Sequence, residues 1–247
     1  MLEPKLIEIL EQYFAIDNFQ DPLALITFRN RFLDFLREEN NLLAPADNPN
    51  IVITKDVIRL IDANNNYTTS SNRSVSSEYL RPFFERLLKD ENWGYYDLKI
   101  LSEAIMYAPT AEFAVELGAK SIMPIVNIRL AGSSDVIQGI LASSICSRLL
   151  YAKYFDDELK IDLTDKFMTW FKKLERLAEK NKELTLPYLY NQIRHALFYQ
   201  NQEEIFRLCE KVKKDDIEQS ANAITSTVGF YTSSLKYNSM LHEGVSN

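Results

Sequence analysis

Apolar residues recur at three- and four-residue intervals along most of this chain, the spacing that places them on one face of an α-helix. Leu2, Leu6, Leu10 and Phe14 make the first stripe. Asp21-Pro22 then supplies a capping residue and a proline at the first helical position, opening a helix with Leu25, Phe28, Phe32 and Phe35 inward. Leu43 to Asn50, with Pro45 and Pro49, breaks the pattern, and Thr54 or Lys55 is predicted to start a short helix through Ile58 and Ile61. The stretch from Asn64 to Ser77, rich in Asn, Ser and Thr, reads as a loop. Leu80, Phe83, Phe84, Leu87 and Leu88 predict the next helix, and Leu98, Leu101, Ile105 and Met106 the one after it. Between them lies Glu91-Asn92-Trp93-Gly94-Tyr95-Tyr96-Asp97, an aromatic cluster that closes one helix and opens the next.

The second half continues in the same way. Pro109-Thr110 opens a helix ending near Gly118, and another is predicted from Lys120 to Ala131 with Pro124 near its start. Gly132-Ser133-Ser134-Asp135 reads as the stop of that helix and the cap of the next, which carries Ile137, Leu141, Ile145 and Leu149. Asp162 or Thr164 begins a helix with Phe167, Trp170, Phe171, Leu174 and Leu177 on one face and Lys and Glu on the other. Leu184 to Tyr199 follows, then Glu203 to Val212, with Asn201 and Glu204 spaced as a capping box. A last helix is predicted from Asp216 to Leu241, with Ser, Thr and Asn at most of its non-apolar positions. Helices in sequential pairs and no strand pattern imply stacked helical hairpins, because each pair buries its apolar face only against a neighbour. The repeats keep no strict consensus, so periodicity alone defines an all-α chain and leaves its repeat character open.

Composition narrows the class. Six glycines and eight prolines in 247 residues are few, which argues against a glycine-rich cofactor fold and for long helices joined by short turns. With 46% hydrophobic and 26% charged residues the chain has the make-up of a folded protein. The net charge of −7 is a poor footprint for nucleic acid, which requires concentrated Lys and Arg. Cys146 and Cys209 sit in apolar helical patterns without metal-knuckle spacing, the usage expected of a reduced, cytoplasmic protein. No apolar run reaches the roughly eighteen residues needed to span a bilayer, and Glu3 and Glu8 stand where a signal peptide would be basic, so no membrane partner is expected.

Little in the sequence points to catalysis. His195 and His242 are the only histidines and neither has a paired metal spacing; no metal or cofactor is expected. Asp156-Asp157 reads as a solvated helix end, and Gly132-Ser133-Ser134 as a turn, since no phosphate-loop motif surrounds it. The chain is therefore read as a non-enzyme. Polar side chains interrupting apolar faces carry more weight. Ser144 and Arg148 lie one turn apart, as do Asn191 and Arg194, with Glu103 following the aromatic motif. They are either ordinary surface residues or the lining of a groove, where Arg pairs with a peptide carboxylate and Asn bridges backbone amides.

The aromatic motif, Ile105-Met106-Tyr107 after it, Tyr151-Ala152-Lys153-Tyr154-Phe155, and Leu186-Pro187-Tyr188 leading to His195-Ala196-Leu197-Phe198-Tyr199 together resemble the regulatory domain of the Rgg/GadR/MutR transcriptional regulators of Gram-positive bacteria. The resemblance is weak before Ile51 and best from Leu80 to Leu208. It implies an all-α, tetratricopeptide-like right-handed array of helical hairpins over residues 1–247 as a single domain. Within it, residues 1–63 would be weaker N-terminal repeats, 64–77 a loop, 78–213 the core repeats and 214–247 a C-terminal dimerisation helix and tail. Trp93, Gly94, Tyr95 and Tyr96 would form the structural motif of a hairpin corner, with Trp93, Tyr95 and Tyr96 mostly buried.

The implied function is ligand sensing and homodimerisation in transcription regulation, with a short peptide pheromone, as in quorum sensing, on the concave face. Glu103, Ser144, Arg148, Asn191 and Arg194 are the candidate peptide contacts, and Phe230, Tyr231, Leu235 and Tyr237 the candidate dimer anchors. Two features depart from the family. Peptide-responsive relatives carry Gly-Asn and an Arg three residues on after the aromatic motif, where this chain has Ser102-Glu103 and Met106. Their helix-turn-helix has no counterpart here, so DNA contact is expected only through a helix-turn-helix domain not present in this chain, which is either a fragment of a regulator or a stand-alone domain. The alternative is a stand-alone interaction scaffold or antagonist that senses no peptide.

Overall fold

The computed structural model describes residues 2–15, 21–70, 73–90, 92–121, 131–155, 163–214 and 228–229. Among them are eleven α-helices, two short 3-10 turns and no strand, so the all-α expectation holds. The chain divides into two compact units, one of residues 1–109 and 119–128, the other of residues 110–118 and 129–247.

The first unit contains α1 (Pro4–Phe14), α2 (Pro22–Arg37), α3 (Glu39–Leu42), α4 (Pro49–Ser70), α5 (Arg73–Lys89), α6 (Tyr95–Ala104) and a 3-10 turn at Ile105–Tyr107. Asp21 caps α2 as its position predicts, its carboxylate accepting from the Leu23 amide at 2.9 Å with Pro22 next in the chain. The centre of this unit is α4, which packs against α2, α5 and α6. Two expectations fail there. Helix α4 begins at Pro49 rather than Thr54, because Asn48 accepts a hydrogen bond from the Asn50 amide at 2.9 Å and proline needs no donor in a first turn. It also runs through the predicted loop to Ser70, and α5 starts at Arg73. The polar run stays helical because its side chains find partners. Tyr107 donates to Asn64 Oδ1 at 2.7 Å, Asn66 donates to Ser76 Oγ at 3.1 Å, and Ser76 donates to the Ala63 carbonyl at 2.8 Å.

Between α5 and α6 the aromatic motif makes a bonded corner. Trp93 is buried and its indole N–H donates to the carbonyls of Leu87, at 3.1 Å, and Asp90, at 3.2 Å, oxygens that the end of α5 leaves without helical partners. Lys120 adds donation to the carbonyls of Leu87 and Leu88. Asp97 accepts from the Gly94 amide at 2.7 Å, closing the start of α6. Its other oxygen takes Arg86 Nη2 at 2.6 Å, and the same guanidinium reaches the buried Asp56 at 2.8 Å. Burial opposes the Arg86 charge, but Asp97 and Asp56 outweigh it and hold the guanidinium above its ordinary pKa. Tyr95 and Tyr96 are mostly buried, less completely than Trp93, because they start α6 and Tyr96 directs its hydroxyl to Glu11, 2.8 Å away.

The second unit contains α7 (Ala111–Lys120) apart from its last two residues, α8 (Ala131–Phe155), α9 (Leu163–Ala178), a 3-10 turn at Lys182–Leu184, α10 (Thr185–Phe198) and α11 (Gln202–Lys214). Gly132 to Asp135, expected to separate two helices, lies inside the first turn of α8. These small and acidic residue types suit a helix start as well as a stop. The predicted helix with Pro124 falls outside the described residues. Helix α8 packs against both α9 and α10 and is buried around most of its circumference, with Leu141, Ile145, Cys146, Leu149 and Leu150 fully enclosed. Gly118 permits close approach on α7, since a Cβ there would lie 2.4 Å from Ile145 Cδ1 and 2.7 Å from the Trp170 ring. The end of α10 is closed from α8, where Lys153 donates to the Phe198 carbonyl and Tyr154 to that of Leu197 at 2.7 Å. Asn201 caps α11 by accepting from the Glu204 amide at 3.1 Å; the reverse half of the box is lost because Glu204 pairs with Arg207 at 2.6 Å.

Candidate functional site

Polar side chains meet inside the second unit, at the interface of α8 and α10. Asn191 is fully buried; its Nδ2 donates to Ser143 Oγ at 2.6 Å and to the Pro187 carbonyl at 2.9 Å. That leaves Asn191 Oδ1 enclosed with no hydrogen-bond partner, and one helical turn beyond Ser143 the buried Ser147 hydroxyl has none either. Arg194 reaches the same serine, its Nη1 donating to Ser143 Oγ at 3.0 Å, while the guanidinium packs by Tyr190 and keeps some exposure. The cluster therefore sets an acceptor and a hydroxyl without hydrogen-bond partners close to a guanidinium in otherwise apolar packing, where buried polar atoms carry a desolvation cost.

Not every candidate residue belongs to it. Ser144 is half-buried and beside the cluster, and Ser143, which periodicity did not single out, takes its place. Only a serine on the same stripe as Ser147, four residues on, signalled this in the sequence. Arg148 was expected to be a solvated groove residue and is instead 1% exposed, the largest of the fully buried side chains, with its guanidinium 5.8 Å from the Tyr151 ring. The reason is the all-round burial of α8, which leaves no solvent-facing side at that turn. Asn191 is likewise a core residue and not a solvated one.

Glu103 belongs to the first unit, the other four candidates to the second. It is the penultimate residue of α6, half-buried, and burial pushes its carboxyl up to about 7. Its neighbours are Tyr13 of α1 and Tyr107, whose hydroxyls burial and the Glu103 charge both hold above the ordinary phenol range. Phe230, Tyr231, Leu235 and Tyr237 lie outside the described residues, as does His242. His195 sits against the rings of Phe171 and Tyr199, each 4.8 Å away, and burial lowers its pKa. Burial raises the Cys146 thiol to about 12, which makes it inert. Among the described residues no cluster of His, Cys, Asp and Glu is arranged to hold a metal ion, and no helix is long and apolar enough to cross a membrane.

No protein-family model matches the chain, and no curated protein matches it. Its fold is similar to the X-ray crystal structure of the SHP pheromone receptor Rgg2 of Streptococcus dysgalactiae, with a TM-score of 0.55 over 92% of this chain and 74% of that one. Sequence identity is 12%, so the likeness is one of fold: this chain has an Rgg-like, all-helical architecture.

Proposed function

We propose that this chain is the ligand-sensing and dimerisation domain of a cytoplasmic, Rgg-like transcription regulator, and that it binds a short signalling peptide. The observation that carries the reading is the polar cluster between α8 and α10, set in a fold similar to that of a pheromone receptor. Asn191 Oδ1 is an acceptor for a peptide N–H, and Arg194 is a cation for a carboxylate or carbonyl. Because Asn191 and Arg148 are enclosed, a peptide reaches them only by shifting α8 against α10. Such a ligand acts by favouring one arrangement of these helices. Dimer contacts are assigned to the segment from Asp216 to Leu241, with Phe230, Tyr231, Leu235 and Tyr237 as anchors, and DNA contact to a helix-turn-helix domain outside this sequence.

The test is isothermal titration of the chain with short apolar peptides, alone and as Arg194→Ala, with light scattering for the dimer. Arg194→Ala weakens binding about tenfold or more, the equivalent of one charge-assisted hydrogen bond, and melts near wild type. A monomer, or equal affinity in wild type and variant, refutes the reading and leaves the interaction scaffold in its place.

A further inference from the structure

The cluster between α8 and α10 offers an incoming group donors on one side and an acceptor on the other. The Asn191 amide has one orientation, because its Nδ2 donates at 2.9 Å to the Pro187 carbonyl, a group that only accepts. Oδ1 is therefore the atom left over, enclosed and without a partner. Ser143 Oγ accepts from Asn191 Nδ2 at 2.6 Å and from Arg194 Nη1 at 3.0 Å, which occupies both of its lone pairs and leaves its proton to donate. The Ser147 hydroxyl lies one helical turn along α8 on the same stripe and has no partner. Helices α8 and α10 run in the same direction, Ser143 meeting Asn191 and Tyr154 meeting Leu197, so Ser147 stands on the Arg194 side of Ser143. A guanidinium and two hydroxyl donors thus border one acceptor.

That order matches the end of a polypeptide. A C-terminal residue carries a carboxylate, which takes only donors, and an amide N–H, which takes an acceptor; its nitrogen and carboxyl carbon are joined through one Cα and lie about 2.5 Å apart. Arg194 and Asn191 are close neighbours in the same way, since both hydrogen-bond the one Ser143 oxygen. Exposure selects the end of a chain over its middle. Ser143, Ser147 and Asn191 are at most 8% exposed, and Arg194 alone in the cluster keeps appreciable exposure, so a ligand enters past Arg194. A chain terminus needs one opening, whereas an internal residue needs one on each side. We propose that this cluster receives a peptide's C-terminal residue, its carboxylate bound by Arg194 and the Ser143 and Ser147 hydroxyls and its amide N–H accepted by Asn191 Oδ1. The assignment deepens the peptide reading above and rests on it.

The experiment is isothermal titration of the wild-type chain with a short apolar peptide in three forms: the free C-terminal acid, the C-terminal amide, and the acid carrying a methyl group on its last peptide nitrogen. N-acetyl-leucine and its amide serve as single-residue probes. The free acid is expected to bind about tenfold or more tighter than the amide, which lacks the charge, and than the methylated peptide, which lacks the proton. In Arg194→Ala, acid and amide bind alike; an arginine that served packing alone would weaken both by one factor and leave their ratio intact. Peptide binding with equal affinity for acid and amide overturns the C-terminal site and leaves the peptide reading standing. A methylated peptide that binds like its parent overturns the role of Asn191. If no peptide binds in any form, the peptide reading falls; N-acetyl-leucine bound in preference to its amide then keeps the carboxylate site, and the lack of that preference overturns both. The comparisons on wild type stand whether or not the variant folds.

Discussion

Replacing Arg86 by Met tests the physical account of the aromatic corner. The side chain is 24% exposed and binds two carboxylates more deeply set than itself: Asp56 at 2%, through Nη2 at 2.8 Å, and Asp97 at 11%, at 2.6 Å. Methionine preserves the apolar stem beside Phe83 and removes the charge. Breaking one side of a buried pair costs about 3–5 kcal/mol, because the other side is left charged and desolvated. Arg59 stays on Asp56 at 2.6 Å, which sets the expectation at the lower end, about 3 kcal/mol. For a protein of this size that is a fall in melting temperature of about 6–12 °C. The loss also depends on pH. Burial already raises the Asp56 pKa against the opposing Arg59 and Arg86 charges, and removing Arg86 raises it further. A carboxyl with a raised folded pKa binds more protons folded than unfolded, so its penalty is complete at high pH and relieved as pH falls through that pKa. Urea unfolding at pH 8 and pH 5, followed by Trp93 fluorescence in a Trp170→Phe background, measures both effects in the unit concerned. A deficit below about 1 kcal/mol at pH 8, or an equal deficit at both pH values, would refute the reasoning. Adding Asp56→Asn to the variant restores part of the loss.

Three other outcomes are expected. Trp93→Ala costs about 3–5 kcal/mol in chemical denaturation, and Trp93→Phe about 1 kcal/mol from the lost indole hydrogen bond; a variant melting like wild type would deny the corner its structural role. Arg148→Ala, unlike Arg194→Ala, lowers the melting temperature, by about 2–4 kcal/mol of stability, since it empties a fully enclosed position; equal melting of the two variants would contradict the burial of Arg148. Glu103 has a folded pKa of about 7, above its unfolded value, so it makes stability decline as pH rises from about 4.5 to about 7, and Glu103→Gln removes that part of the slope; titration of urea midpoints against pH reads it directly.

Much of the helical order was legible because it follows from local chemistry. The stripes Leu6-Leu10, Leu25-Phe32-Phe35 and Phe167-Trp170-Phe171-Leu174 are buried where their spacing places them. Asp21 and Asn201 cap the helices they precede, since a cap needs only neighbours within one turn. Trp93 was recognisable as a corner residue for the same reason, an aromatic between two periodic segments. The polar run from Asn64 to Ser77 was misread because its helical state depends on Tyr107, 43 residues from Asn64 in sequence, and on pairings between α4 and α5.

The site divides along the same line. Periodicity distinguished Asn191 and Arg194 as polar residues on an apolar face, but not whether that face meets water or another helix. Burial is set by what packs on the opposite side, and α8, enclosed by α9 and α10, turned Arg148 from a presumed surface residue into a core one. Tertiary packing alone decided that Ser143 and not Ser144 receives Asn191, and that Arg86 joins Asp56 to Asp97 across 30 and 11 residues of sequence. It also decided that Glu103 is half-buried near the hydroxyls of Tyr13 and Tyr107, from α1 and the turn after α6. Hydrophobic spacing determines a helix and the face it buries; which polar groups meet there depends on the rotation and offset of each helix against its neighbour, and those are properties of the packed chain.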